Sequence, residues 1–311
     1  MDVQRKRHTI PLCLVALLLG GILSANAETS DPVRFGLIAD VHAHDIDSPG
    51  EGKWMTNTEA RLAAFTDAMN AWSPDFVIQL GDFVNGWVVL GADPGDPARI
   101  PDILAWADEL YARFDGPRYH VIGNHDVYNL DKPTYREILG IETTTYSFDV
   151  GGYHFVALDV QYADDGSDLG HTYMGVAGFL PKEKLAWLRD DLAASTLPTI
   201  VFVHQMLDTT IEELGRALIA NQHEIQATLA EDGDIIAVFQ GHDHDNAHHV
   251  IGEIHFVTFE ALVDQGTPTS WAQITLDPAE QTITITGFGE QANYRLEYEQ
   301  GSPPNPPEEA R

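Results

Sequence analysis

The sequence predicts an α/β domain of layered, mixed β-sheets. Three observations predict it. From Val33 to Phe239, short apolar β-prone runs alternate with stretches of helical spacing. From Val250 to Tyr298 the hydrophobic period is mostly two, the mark of several antiparallel strands. Polar residues able to bind metal also recur just past the apolar core of one strand after another, and in α/β sheets sites collect at the carboxyl ends of strands.

The elements follow in order. Val33 to Ala39 alternates and predicts a buried strand. Thr58 to Trp72 carries Leu62, Phe65, Ala68, Met69 and Trp72 at helical spacing. Asp75 to Leu80 predicts the second strand, Pro97 to Phe114 a helix, and Arg118 to Ile122 a third strand. Thr144 to Val150 and Tyr153 to Val160 flank Gly151 and Gly152, a hairpin signal. Pro181 opens a helix that runs to Ala194, because proline fits a first helical turn. Thr199 to Val203 reads as a strand, Ile211 to Ala230 as a helix with a weak point at Gly215, and Asp234 to Phe239 as a strand.

Length and composition bound the rest. The 311 residues, 44% hydrophobic, suffice for one sizeable core. Residues 1–27 have the layout of a secretory signal peptide: basic Arg5, Lys6 and Arg7, an uncharged run from Ile10 to Leu23, then Ala25, Asn26 and Ala27. The run falls short of the roughly 18 residues of a spanning helix, so cleavage after Ala27 is expected over a retained anchor. That leaves a single domain over 28–300, a flexible Pro-rich tail over 301–311, and a secreted or periplasmic location. The only cysteine, Cys13, lies in the leader, so the mature chain has no disulfide. The net charge of −31 becomes −33 without the leader. A surface so acidic repels polynucleotides and excludes nucleic-acid polymers as expected partners.

The motifs carry chemistry. Asp40 and His42 offer an oxygen and a nitrogen two residues apart, on one face if the backbone stays extended. Gly81 precedes Asp82, whose two carboxylate oxygens suffice to bridge two cations. Gly123, Asn124, His125 and Asp126 follow the third strand, and Asn124 brings a neutral oxygen for a hard cation. His204 ends the strand from Thr199, and Gly241 leads into His242 and His244. Each has a plain alternative: a strand-end Asp is often a cap, and a lone His a hydrogen-bonded structural residue. Five motifs in this order, each after a strand, are a different matter.

Taken together the set resembles the calcineurin-like metallophosphoesterases, over roughly Val33 to Glu260. The resemblance implies an αββα sandwich of two mixed β-sheets flanked by helices. It implies a metal-dependent phosphoric ester hydrolase with two divalent ions of Mn, Fe or Zn, and a hydroxide bridging them as nucleophile. By position, Asp40, His42, Asp82 and His244 resemble the ligands of one metal. Asp82, Asn124, His204 and His242 resemble those of the second, with Asp82 shared. His125 matches the catalytic histidine, and Asp126 a residue that supports the ligands, a surface carboxylate being the alternative.

One departure bears on substrate. Protein phosphatases of this family carry Asp and Arg where this chain has Asn85 and Gly86. The chain thus resembles more the branch of cyclic nucleotide phosphodiesterases and manganese-dependent ADP-ribose pyrophosphatases, in which the substrate has less charge to grip. Asn85 is expected to orient His125 without charge. Trp87, His171 and Tyr173, in long loops, are candidates for the pocket wall. The expected activity is hydrolysis of phosphodiester or pyrophosphate bonds of small extracytoplasmic phosphate esters. The alternatives are a broad phosphomonoesterase and a non-catalytic metal-binding protein.

Overall fold

The computed structural model describes residues 31–47, 53–86, 97–170, 178–208, 219–264 and 269–299. The expected leader, the tail, and the candidates Trp87, His171 and Tyr173 lie outside these residues. Among the described residues no helix is long and apolar enough to cross a membrane.

Two six-stranded mixed sheets pack face to face. The first runs β12-β11-β10-β1-β2-β3. Here β1 (Val33–Ile38), β2 (Phe76–Gln79) and β3 (Arg118–His120) are parallel. The meander β10 (Trp271–Asp277), β11 (Thr282–Phe288) and β12 (Tyr294–Glu297) joins antiparallel to β1. The second runs β4-β5-β6-β7-β9-β8. Its parallel centre is β5 (Tyr153–Leu158), β6 (Thr199–Val203), β7 (Ile235–Gln240) and β9 (Ile254–Thr258). The antiparallel edges are β4 (Tyr146–Val150) and β8 (Ala247–Ile251).

Between the sheets lies an apolar core that includes Phe35, Phe76, Phe155, Phe202 and Phe239. Phe35 stacks on Phe76 at 4.7 Å between ring centres and meets Phe155 edge-on at 5.8 Å. Burying five such rings contributes about 2 to 3 kcal/mol each before entropy is counted. The outer face of the first sheet is covered by α1 (Thr58–Trp72), α2 (Ile100–Tyr111) and α3 (Lys132–Leu139) through Leu62, Phe65, Leu104 and Tyr135. That of the second is covered by α4 (Lys182–Ala194) and α5 (Gln222–Asp232) through Leu188 and Leu229. This is the expected αββα sandwich.

Four local expectations change. The helix expected from Pro97 starts as a 3₁₀ turn, Pro97–Arg99, because Pro101 sits in the first turn of α2. The helix expected from Ile211 to Ala230 begins only at Gln222, because Ile219 bridges to Gly178 and Ala220 and Asn221 form a turn; residues 209–218 lie outside the description. The run after Val250 is not wholly antiparallel: β9 pairs parallel with β7, and its far end thereby joins the ends of the other parallel strands. Helix α3 was not anticipated, although Asp131 caps it by accepting from the Thr134 N–H at 2.8 Å and Gly140 ends it with a left-handed φ of 66°.

Candidate metal centre

Loops at the carboxyl ends of β1, β2, β6 and β7, with the segment after β3, converge on one point. The backbone is tied there before any side chain is considered. His42 N–H donates to Asp82 O at 2.8 Å, Gly241 N–H to His204 O at 3.0 Å, and Val263 N–H to Asp40 O at 3.2 Å. Asp40, His42, Asp82, His242 and His244 all have φ between 44° and 73°. The backbone at Asp40 and His42 is therefore not extended, as the spacing had suggested. Left-handed turns, each costing about 1 to 3 kcal/mol for a non-glycine residue, aim both side chains inward instead. Two glycines allow the close approach. Gly81 has φ 97°, and a Cβ on Gly123 would lie 2.2 Å from both the nitrogen and Oδ1 of Asp82.

Two donor groups result, divided by Asp82. On one side His42 Nε2 lies 3.1 Å from His244 Nε2, 3.8 Å from Asp40 Oδ1 and 3.6 Å from Asp82 Oδ2. On the other, His204 Nε2 lies 3.1 Å from Asn124 Oδ1, 3.1 Å from His242 Nδ1 and 3.2 Å from Asp82 Oδ1. All seven residues anticipated as ligands are thus brought together, and Asp40, His42 and His204 are fully buried.

The donors suit divalent cations. Asp40 Oδ1 is buried without a hydrogen-bond partner, although Oδ2 accepts from His242 N–H at 2.9 Å. An orphaned carboxylate oxygen facing imidazole nitrogens is costly unless a cation fills the space. Three of the imidazoles, His42, His204 and His244, are also oriented from behind. His204 Nδ1–H donates to Leu80 O at 2.9 Å, and His244 Nδ1–H to Asp264 Oδ1 at 2.9 Å, so both keep Nε2 for the centre. Asn124 donates from Nδ2 to Tyr128 Oη at 2.6 Å, which turns its oxygen inward.

The charges of the cluster are strongly mutual. Burial works against the charged forms of Asp40 and Asp82. Their histidine neighbours, His244 for Asp40 and His204 for Asp82, nevertheless hold both pKa values below the ordinary carboxylate range. Burial likewise opposes protonation of His204 and His244, but Asp82 holds His204 at about 9 and Asp40 holds His244 at about 10. Burial, followed by the charge of His204, pulls His242 down to about 3. In the metal-free protein at neutral pH, two protons therefore stand where cations would bind.

His125 projects beside the first group, Nε2 4.0 Å from Asp82 Oδ2, with its backbone N–H donating to Asp82 Oδ1 at 2.7 Å. Its Nδ1 contacts Gly86 O at 3.0 Å. Asn85 therefore does not orient His125; its Oδ1 lies 2.8 Å from His42 Nδ1. The reason is the turn after β2, which directs the Asn85 side chain under His42 and leaves the next carbonyl facing His125. Asp126 is fully buried, not on the surface, and accepts from Val84 N–H and Gly123 N–H. Burial and the nearby Asp82 push its pKa up to about 8.

Three neighbours escaped the motif reading: Lys53, Tyr128 and Asp264. Asp264 follows β9, and the strand-end rule would have found it had β9 been recognised as parallel. Tyr128 falls one turn after Asn124, a spacing with no signal of its own. Lys53 lies 3.4 Å from His42 Nδ1 and is set in a loop without periodicity.

A cluster of nitrogen and oxygen donors divided by one carboxylate, at the strand ends of an αββα sandwich, defines a dinuclear metallohydrolase. The family model for calcineurin-like phosphoesterases matches residues 33–246, and the chain belongs to that family. It is a metal-dependent phosphoric ester hydrolase whose cofactor is a pair of divalent ions. A rice protein, the manganese-dependent ADP-ribose/CDP-alcohol diphosphatase of Oryza sativa subsp. japonica, is 27% identical over 299 residues. The match covers 79% of this chain and 88% of the relative. The Arabidopsis thaliana protein of the same name is 24% identical over 304 residues, covering 81% and 93%. Among solved structures, a dimetal phosphatase from Danio rerio superposes with a TM-score of 0.68 at 20% identity, over 86% of this chain and all of that one. The Plasmodium protein GAP50, described as the anchor in the inner membrane complex, shares the fold with a TM-score of 0.55 at 14% identity, so the fold alone does not define the role.

Proposed function

We propose that this protein hydrolyses the phosphodiester or pyrophosphate bond of small extracytoplasmic phosphate esters. Asp40, His42, Asp82 and His244 hold one cation; Asp82, Asn124, His204 and His242 hold the other. The observation that carries this reading is Asp82, whose Oδ2 faces the first group at 3.6 Å from His42 and whose Oδ1 faces the second at 3.2 Å from His204. When bound, two divalent cations act as Lewis acids on a phosphoryl oxygen and lower the pKa of bound water.

The chain's own residues supply orientation and a proton site. Leu80 O and Asp264 hold the tautomers of His204 and His244. Gly86 O keeps the proton of His125 on Nδ1, so Nε2 faces the reacting phosphate. Burial, then the Lys53 charge, holds that ring neutral with its pKa at about 3. An anionic phosphate alongside raises it, so that Nε2 takes a proton from water and then passes that proton to the leaving oxygen.

Two points support a diester or pyrophosphate. The rice and Arabidopsis relatives, aligned along most of both chains, are named for ADP-ribose and CDP-alcohols, which also makes manganese the first metal to test. In this chain Asn85 and Gly86 add no cation to grip a dianionic monoester. The test is product release by the Mn²⁺-loaded protein from ADP-ribose, CDP-choline, bis(p-nitrophenyl) phosphate and p-nitrophenyl phosphate. Turnover of the first three should exceed that of the monoester, and the reverse order would replace this reading with a phosphomonoesterase. Export rests on the leader pattern of residues 1–27. Recovery of the protein only inside cells, with those residues intact, would remove it.

A further inference from the structure

We propose that His248 and His255 form a third cation site, apart from the dinuclear centre, which takes a divalent cation that prefers imidazole, such as Zn²⁺, and does not retain Mn²⁺.

Strand register brings the pair together. In the β8–β9 hairpin Val250 stands opposite His255. His248, two residues before Val250, therefore lies on the same face as His255, one step along the diagonal. His248 Nε2 comes to 3.0 Å from His255 Nδ1. Imidazole pairs in the dinuclear centre have nearly the same spacing, 3.1 Å for His42 with His244 and 3.1 Å for His204 with His242. Two nitrogens bound to one Zn²⁺ at about 2.0 to 2.1 Å stand roughly 3.3 Å apart at the tetrahedral angle. Both side chains are only partly buried, so a small opening reaches that spacing.

The tautomers agree. His255 Nε2 lies 2.9 Å from the Glu297 carbonyl oxygen, which only accepts. The His255 proton therefore sits on Nε2, and the Nδ1 lone pair faces His248. A backbone carbonyl holds His204 from behind in the same way. In the metal-free chain His248 donates from Nε2 into that lone pair. Burial, followed by the charges of His255 and His249, keeps the His248 pKa below its ordinary value, so the ring is neutral at pH 7. On binding, its one proton moves to Nδ1 through solvent, and two lone pairs meet the cation.

The donors set the choice of cation. His249 turns to the other face, where its Nδ1 lies 2.6 Å from Asp208 Oδ2. Among the described residues, the groups of three ligating side chains all belong to the dinuclear centre, so water completes the shell of this pair. Imidazole without carboxylate suits Zn²⁺, Cu²⁺ or Ni²⁺ and not Mn²⁺. Glu297 ends β12 in the first sheet, whereas His255 belongs to β9 in the second. A cation on Nδ1 makes Nε2–H a stronger donor, so the site tightens the join between the sheets.

Zinc counting tests this. Dialysed against Zn²⁺ at micromolar concentration, the metal-free protein should hold three zinc ions by elemental analysis, and His248→Gln and His255→Gln two each. With Mn²⁺ instead, all three proteins should hold two ions. A difference of one zinc supports the site whatever the dinuclear centre holds. In the unaltered protein, imidazole ¹⁵N spectra should show the His248 proton passing from Nε2 to Nδ1 as zinc is added, while that of His255 stays on Nε2. This reading decides the matter if the variants do not fold. Equal zinc in the unaltered protein and both variants, or a His248 proton that stays on Nε2 at saturating zinc, overturns the inference.

Discussion

The backbone N–H of His242 donates to Asp40 Oδ2 at 2.9 Å, and Oδ1 of the same carboxylate is left buried without a hydrogen bond. One strand end thus orients the carboxylate supplied by another, and the second oxygen faces His244 Nε2 at 3.4 Å, where a cation would displace the imidazole proton. Metal should therefore stabilise the fold strongly. At a free Mn²⁺ concentration a hundred times the dissociation constant, the gain is about 2.7 kcal/mol, several degrees in Tm for a chain of this size. Asp40→Asn should lose most of that gain while folding in EDTA. Scanning calorimetry with and without Mn²⁺ checks this, and an unaltered chain indifferent to millimolar Mn²⁺ would contradict it.

Metal affinity should rise with pH while metal-free stability falls. His204, held at about 9, and His244, at about 10, each carry a proton that an entering cation must displace. Affinity should therefore increase about tenfold per pH unit for each site, levelling off above pH 9 for the His204 side and above 10 for the His244 side. In the metal-free chain these pKa values stand above the unfolded value of about 6.5. Their contribution is thus fully present below that pH and is lost as pH rises through 9 and 10. Asp126, raised to about 8, acts in the same sense. Denaturant titrations in EDTA and calorimetric titrations with Mn²⁺ should slope in opposite directions between pH 6.5 and 10. Parallel slopes would count against the assignment.

His125→Ala should lower kcat about 10²- to 10⁴-fold, the usual contribution of a positioned acid or base. Its ring faces the cluster 4.0 Å from Asp82 without belonging to either donor group as assigned, so bound metal should stay at two ions. Elemental analysis beside steady-state kinetics separates the roles. A variant that loses an ion along with its activity would make His125 a ligand.

Gly123→Ala should be among the most damaging single-methyl changes in the molecule. The added carbon would lie 2.2 Å from the nitrogen and Oδ1 of Asp82, and the backbone it meets cannot rotate away. Overpacking of this kind costs about 1 to 3 kcal/mol, and it moves the carboxylate shared by both sites. Stability in EDTA and Mn²⁺ stoichiometry should both fall. Retention of two tight sites would show that Asp82 is free to shift.

Much of this was legible without coordinates. The phases of β1, α1, β6 and α4 follow from hydrophobic period, and the seven candidate ligands follow from motifs placed after strands together with the family those motifs resemble. Period alone does not show which way a strand runs, so β9 looked like one more antiparallel strand and Asp264 went unnoticed. Spacing does not reveal φ either. Asp40 and His42 converge through left-handed turns that a two-residue interval does not encode.

The amino-acid sequence by itself determined a layered α/β domain with mixed sheets and the donor types at its strand ends, because these depend on local period and residue chemistry; the sandwich came from the family its motifs resemble. Tertiary structure decided which oxygen of Asp82 faces each of the two donor groups that the family resemblance implied. It alone set Asn85 behind His42 and Gly86 O behind His125, and brought Lys53 to the back of the same imidazole. Those relationships join residues 11 to 202 positions apart. They are fixed by how the two sheets and their loops pack, and no local rule carries that information.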